Sequence, residues 1–152
     1  MGEKPMSPGH KKSIWAGEPI DRLLSTRKGD NKSGAINAAV DRYLEVCKRH
    51  TPKLSVGEWC AIFDALNGTW MLDAWSPTYI FAEVHDTEGL GDKWGIDQAE
   101  LVAKLQGMSY AESVAIADAT ERFWASDLQP GEDGWKAPVV AIVGEKAVEE
   151  RK

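Results

Sequence analysis

The stretch GDNKSGAINAAVDRYL, residues 29–44, decides the fold. Its first residues are typical of a turn, and Asn31 or Ser33 can cap the helix that follows. Pro52 ends that helix, because proline disfavours a helical conformation at the residue before it. Apolar residues recur at every third or fourth position along the helix: Ile36, Val40, Tyr43, Leu44 and Cys47. The stretch therefore predicts an amphipathic helix that packs on another element.

Charge divides the chain into two parts of opposite sign. Residues 1–53 contain eleven Lys or Arg and six Asp or Glu, a net charge of +5. Residues 54–152 contain seven Lys or Arg and eighteen Asp or Glu, a net charge of −11. Salt screens the attraction between a protein charge and a phosphate beyond about 10 Å. The charge of each part of the chain therefore indicates its binding partners better than the overall charge does. The basic part can meet a polyanion, or it can pair with the acidic remainder of the chain.

Length and composition fit one domain of ordinary size, or a small module joined to a helical domain. The chain has 152 residues, and 43% of them are hydrophobic. It contains no run of about 18 apolar residues, and its first residues lack an apolar signal core. We therefore expect a cytoplasmic protein with no membrane partner. In that compartment Cys47 and Cys60 are expected to be buried thiols rather than a disulfide.

Helix signals dominate residues 53–128. Two capping boxes, in which a serine and a glutamate three residues later satisfy each other's backbone donors, begin at Ser55 and Ser109. Asp97 can cap another helix in the same way, and Pro77 fits the first turn of a further one. The fold class is therefore mainly α.

The C-terminal residues contain the only run of β-branched residues in the chain. Val139–Val143 reads VVAIV, which is typical of a strand or of an extended docking segment. The residues from Gly144 onward are largely charged, which predicts a frayed end. We expect at most two short extended segments in the chain, near residues 11–16 and 138–143.

Residues 10–48 combine a basic segment, a short extended stretch, a helix and a glycine-containing turn with the helix quoted above. The positions of that second helix that carry the pattern are Lys32, Ser33, Ile36, Ala39, Tyr43 and Leu44. This arrangement resembles the ribbon-helix-helix regulators of the Arc/MetJ type. In that family, strands from two chains pair into a ribbon that enters the major groove of DNA. The resemblance implies an N-terminal ribbon-helix-helix-like module followed by an α-helical domain.

The resemblance also implies a homodimer that binds double-stranded DNA as a transcriptional regulator of bacterial, plasmid or phage origin. A helix N-terminus with a serine hydroxyl and a lysine charge can hold a phosphate. The implied phosphate contacts are Lys32, Ser33, Arg27 and Lys28, and the implied groove contacts are Lys11, Lys12 and Ser13. Two alternatives remain open, since the segment can serve as a dimerisation device alone or be an ordinary helical hairpin.

The expected organisation has four parts. Residues 1–12 form a flexible basic arm, and residues 13–52 form the dimerisation and DNA-binding module. Residues 53–128 form an acidic α-helical domain, and residues 129–152 form a tail with a short apolar segment. In the alternative function, the chain is an acidic adaptor or inhibitor that binds a host protein and uses the N-terminal module only to dimerise.

Seven tryptophans are many for a chain of this length. Trp59 and Trp124 fall on the apolar faces of predicted helices, so both are expected in the core. Trp70, Trp75 and Trp94 fall in links, where they either pack structurally or line a groove. Aromatic grooves bind peptides, sugars or bases.

Catalytic patterns are missing from the sequence. It contains no phosphate-binding glycine loop with lysine, no nucleophile elbow and no Cys/His pair of recognisable spacing. His85 lies among Glu83, Asp86 and Glu88, but a metal site needs further ligands at fixed spacing. A solvated helix end accounts for this cluster. We expect no enzymatic activity, no cofactor and no metal.

Overall fold

The computed structural model describes residues 32–68 and 76–150. The chain divides into two compact units, Met1–Arg42 and Tyr43–Lys152. In chain order the helices are α1 (Lys32–His50), α2 (Val56–Ala65), α3 (Pro77–Asp86), α4 (Leu90–Trp94), α5 (Gln98–Gln106), α6 (Tyr110–Ala125) and α7 (Lys136–Val143). A 3₁₀ turn at Glu145–Ala147 follows. The mainly α fold class is therefore confirmed for the described residues, while the domain boundaries stay a prediction.

The predicted caps are present at the helix starts. Ser55 and Glu58 form a capping box at α2, in which each side chain bonds the backbone N–H of the other residue. A second box begins at Ser109, at the start of α6. Asp97 accepts a hydrogen bond from the third residue of α5, and Pro77 occupies the first turn of α3. Because local side chains satisfy free donors at three of these starts, the sequence alone locates them.

Helix α2 lies at the centre of the Tyr43–Lys152 unit. Its residues Trp59, Ile62 and Phe63 are at most 1% exposed, and it contacts α3, α4, α6 and α7. Burying one such side chain contributes about 1.5–3 kcal/mol. Four other helices complete the core with Ile80, Val84, Leu101, Leu105, Ile116 and Val139. The fold therefore depends most on the packing of α2.

The C-terminal apolar run forms a helix, so the predicted strand is wrong, while a docking role of this run is not tested. Val139–Val143 belongs to α7. The backbone N–H of Val139 donates to the carbonyl oxygen of Trp135 at 3.0 Å, and the Val139 side chain is completely buried. A β-branched residue in a helix costs less than about 0.7 kcal/mol of stability relative to alanine. Packing of the run on the core therefore outweighs its preference for a strand.

The segment after α7 is packed against the core, which contradicts the predicted fraying up to residue 149. The backbone N–H of Leu54 donates to the carbonyl oxygen of Ala147 at 3.0 Å. The backbone N–H of Glu149 donates to the carbonyl oxygen of Leu54 at 2.8 Å. Leu54 and Val148 thus form an isolated parallel bridge. Ala147 and Val148 are buried. These contacts hold the chain before α2 and the chain after α7 together.

The ribbon-helix-helix resemblance is wrong. That fold requires a β-strand, and residues 32–68 and 76–150 contain helices and isolated bridges but no strand. The expected ribbon at residues 11–16 lies outside the described residues. In the family, the apolar stripe of the second helix packs across a two-fold partner. Here the Tyr43 hydroxyl donates to Asp118 of the same chain at 3.4 Å, and Cys47 is buried.

Helices in the described part of the chain are too short or too polar to span a membrane. The longest, α1, has 19 residues and carries charged side chains at both ends and in its middle. The expected cytoplasmic location stays a prediction.

Replacing Gly57 in α2 by alanine is expected to lower the free energy of unfolding by about 1–2 kcal/mol. A Cβ atom there would lie 2.6 Å from the Trp94 carbonyl oxygen and 2.8 Å from Ile96 Cγ2. Overpacking costs about 1–3 kcal/mol, and the better helix propensity of alanine offsets up to about 1 kcal/mol. Urea unfolding followed by circular dichroism measures the change.

Gly107→Ala is the matched control for this substitution. Its Cβ would meet only the Lys104 carbonyl oxygen, at 3.8 Å, and the φ of Gly107 is −89°. We expect a change of less than about 0.5 kcal/mol, the usual range for a surface substitution. Equal costs at the two glycines would contradict the close approach of α2 to Trp94 and Ile96 at the end of α4.

Candidate functional site

A cleft opens in the Tyr43–Lys152 unit between α2, α4 and the segment that joins α6 to α7. It has a volume of about 450 Å³, and ligand sites typically measure about 300–1,000 Å³. Aromatic side chains dominate its wall, which is lined by Cys60, Phe63, Asp64, Lys93, Trp94, Phe123, Trp124, Ser126, Leu128, Gln129 and Trp135. The cleft is large enough for one or two side chains of a ligand.

Five aromatic rings form the wall as one connected set. Phe63 and Phe123 stack with their ring centroids 4.5 Å apart. Phe123 also meets Trp124 edge-on at 5.2 Å and Trp135 at 5.7 Å, and Trp135 meets Trp94 edge-on at 6.5 Å. Favourable aromatic pairs have centroids about 4.5–7 Å apart. The rings therefore hold one another in position without a ligand.

Two indole N–H groups in the wall already have acceptors. Trp124 Nε1 donates to the carbonyl oxygen of Phe63 at 2.8 Å, and Trp94 Nε1 donates to Asp64 Oδ2 at 3.0 Å. The Trp124 side chain is nevertheless 48% exposed. Because these donors are satisfied, a ligand meets ring surface whose orientation is fixed. Such preorganisation lowers the entropy cost of binding.

Asp64 and Lys93 supply the charges of the cleft. Lys93 Nζ lies 2.7 Å from Asp64 Oδ2, and it also lies 5.4 Å from the centroid of the Trp94 ring. The Asp64 side chain is 25% exposed and the Lys93 side chain is 60% exposed. Asp64 is thus held by α4, while the lysine is free to exchange with solvent. This arrangement can bind a polar group at the mouth and an apolar group inside.

The Cys60 thiol lines the cleft without the properties of a nucleophile. Burial raises its pKa to about 12, and the Asp64 carboxylate acts in the same direction. Since the thiolate is the reactive form, Cys60 is inert at neutral pH. Burial likewise raises the pKa of the Cys47 thiol. Both cysteines are buried and free, which confirms the prediction.

Most residues predicted to contact DNA lie outside the described residues. This applies to Lys11, Lys12, Ser13, Arg27 and Lys28. Lys32 is the first residue of α1, and Ser33 follows it with an exposed side chain. The described residues therefore do not test whether these seven side chains lie together, and their contacts with DNA stay a prediction.

The tryptophan predictions have mixed outcomes. Trp59 is 0% exposed, as expected of a core residue. Trp124 is not a core residue, because it lies at the end of α6 with nearly half of its surface exposed. Trp94 lines the cleft, as one of the two interpretations of its position had it. Trp70 and Trp75 lie outside the described residues.

The acidic cluster around His85 is a solvent-exposed helix end, as predicted. His85 Nδ1 lies 2.9 Å from Asp86 Oδ1, and the two side chains are 68% and 75% exposed. Within residues 32–68 and 76–150, His, Cys, Asp and Glu side chains form no group of three or more that could hold a metal ion. Neither member of the pair lines the aromatic cleft.

Sequence reasoning missed Asp64, Lys93 and Trp135 as parts of a site. They come from three separate segments, and only the fold brings them together. One local signal was present, since Lys93 and Trp94 are adjacent in a stretch bounded by glycines. This pair indicates a binding site only once the fold places the Asp64 carboxylate of α2 beside it.

Comparisons with family models, with curated proteins and with solved structures found no match for this chain.

Proposed function

We propose that this chain is a protein-binding module, an acidic adaptor or inhibitor, that takes a segment of a partner protein into the aromatic cleft. The observation that carries the proposal is the set of five preordered rings beside a partly exposed carboxylate. Binding clefts are mostly apolar and carry a few polar groups that orient the ligand. The cleft has this composition, with Asp64 and Lys93 as the charged pair.

The ring types favour a protein as the ligand. Tryptophan is enriched among the residues that contribute most to protein–protein affinity. Three tryptophans line this cleft, and one of them, Trp124, is half exposed although it is large and apolar. A rigid aromatic surface gains contact area at little entropy cost, which suits the anchoring of one side chain of a partner.

Charge indicates a basic partner. Residues 54–152 carry a net charge of −11. Four of the cations in this region are engaged by acids of the same chain: Lys93 by Asp64, Lys104 by Glu58, Arg122 by Asp118 and Lys136 by Glu150. The surplus is therefore negative, and complementary charge speeds the encounter with a basic surface and disfavours acidic ones.

Peptide selection on the full chain tests this function. We expect a random displayed library to yield enriched peptides that bind the unmodified protein and lose at least about tenfold in affinity with Trp124→Ala. The substitution removes half-exposed ring surface from the cleft, so the fold is expected to persist. Isothermal titration of the enriched peptides measures the loss.

Tyr110→Ala is the matched control, because Tyr110 is an aromatic residue that is 62% exposed and does not line the cleft. Peptide affinity should remain unchanged in this variant. The proposal fails if the selection enriches no peptide, or if the enriched peptides bind the Trp124 and Tyr110 variants equally well.

A further inference from the structure

The cleft already holds one cation, and that cation belongs to the chain itself. Lys93 Nζ contacts the Asp64 carboxylate at 2.7 Å and lies 5.4 Å from the centroid of the Trp94 ring. A cation within about 6 Å of an indole ring is attracted by its electron-rich face. Exposed ion pairs hold their side chains weakly, and Lys93 is 60% exposed. A ligand with a better-shaped cation can therefore replace it.

Asp64 has acceptor capacity to spare. Trp94 Nε1 and Lys93 Nζ both contact Oδ2 of this carboxylate. Within the described part of the chain, no donor bonds Oδ1. A carboxylate accepts several hydrogen bonds, and its affinity for a donor rises when the surroundings are apolar. The indole bond fixes the carboxylate at the cleft while one oxygen remains available to a ligand.

We propose that the cleft recognises an arginine side chain of the partner, which places its guanidinium against the Trp94 ring and donates to Asp64. This inference rests on the proposed function and names the anchor residue. Arginine suits the site better than lysine, because its planar group stacks on aromatic rings and presents a fork of donors to a carboxylate. The net charge of −11 on residues 54–152 favours a cation as well.

N-acetyl-arginine amide is the probe for this proposal, and N-acetyl-citrulline amide is its neutral isostere. Both are titrated into the full chain while the indole N–H resonances of Trp94 and Trp124 are followed by NMR. We expect saturable shifts of the Trp94 resonance with the arginine compound, and at least about tenfold weaker binding of the citrulline compound. Equal responses to the two compounds overturn the proposal.

Two substitutions in the cleft are expected to change the affinity for the arginine compound in opposite directions. Asp64→Asn keeps an acceptor for the Trp94 indole but removes the charge, so affinity for the arginine compound should fall about tenfold or more. Lys93→Met removes the competing cation while keeping an unbranched side chain, so affinity should rise. If both variants bind the arginine compound as the unmodified protein does, or if the two affinities change in the opposite directions, the guanidinium does not meet Asp64 and the proposal is wrong.

The failure of this inference can be told apart from that of the proposed function. Selected peptides that bind through Trp124, combined with no preference for arginine over citrulline, leave the protein-binding function standing and remove the arginine anchor. Selective arginine binding without any enriched peptide would show a cation site that does not serve protein recognition.

Discussion

Replacing Trp59 by alanine is expected to lower the free energy of unfolding by about 3–5 kcal/mol, the usual cost of truncating a buried aromatic side chain. Trp59 is 0% exposed and lies in the central helix α2, with its ring centroid 5.6 Å from that of Phe63. Its Nε1 donates to the carbonyl oxygen of Ala147 at 2.9 Å. Truncation therefore leaves a cavity and also removes one of the hydrogen bonds that hold the C-terminal segment. Urea unfolding followed by circular dichroism measures the loss.

Trp59→Phe separates the cavity from the hydrogen bond. Phenylalanine keeps most of the ring but has no donor for Ala147, whose carbonyl oxygen still accepts from the Leu54 N–H. We expect a cost of about 1–2 kcal/mol, because the acceptor keeps one partner. A loss below about 1 kcal/mol for Trp59→Ala would contradict the central role of α2, since truncating a buried aromatic side chain costs about 3–5 kcal/mol.

Helix starts were predictable from the sequence because their causes are local. A serine and a glutamate three residues apart at Ser55 and at Ser109 satisfy donors within one turn, whatever the rest of the chain does. The burial of Trp59 followed equally from apolar spacing on one helix face. These features need no information about distant residues.

The state of Val139–Val143 could not be predicted from the run itself. Strand preference and buried-helix preference give the same short apolar pattern. Contacts with distant residues stabilise the helix instead. Val139 is buried on the core, and the segment after α7 forms backbone hydrogen bonds with Leu54. The same reasoning explains the mistaken resemblance to ribbon-helix-helix proteins, because an amphipathic helix such as α1 does not specify what it packs against.

The cleft was foreseen only as a possibility for tryptophans in links. Phe123 lies at the end of α6 and meets Phe63 of α2 and Trp135 at the start of α7. Trp135 in turn meets Trp94 of α4. Periodicity places Trp124 on the same helix face as core residues, yet the helix ends at Ala125 and the ring projects beyond the packed layer. Contacts between distant segments therefore created the site, and composition gave only the abundance of tryptophan.

After the truncation of Trp59, the loss of the buried carboxylate of Glu58 is expected to lower the free energy of unfolding most. Its side chain is 2% exposed, and its Oε1 accepts from the Ser55 N–H at 3.0 Å. Lys104 Nζ contacts both carboxylate oxygens, at 3.1 and 2.9 Å. Glu58→Ala removes the cap and the ion pair together. We expect a loss of about 2–3 kcal/mol, below the 3–5 kcal/mol of a fully buried pair, because Lys104 is 35% exposed and can turn to water.

Three further variants apportion this effect. Glu58→Gln keeps an acceptor for the Ser55 N–H and loses only the charge, so it should cost about 1 kcal/mol. Lys104→Met leaves a buried carboxylate without its cation and should therefore cost more than Glu58→Gln. The double variant should cost less than the sum of the two single losses, because neither charge remains unpaired. Additive losses would show that the two side chains do not interact.

The ion pair also predicts how stability changes at alkaline pH. Hydrogen bonding to Glu58 raises the pKa of Lys104 above its ordinary value of 10.5. A group whose folded-state pKa is raised contributes stability below its unfolded pKa and loses it as pH rises through the folded value. The stability difference between the unmodified protein and Glu58→Gln should therefore be constant near neutral pH and shrink above pH 10.5. A difference that persists there would mean that the charge of Glu58 stabilises the fold independently of Lys104.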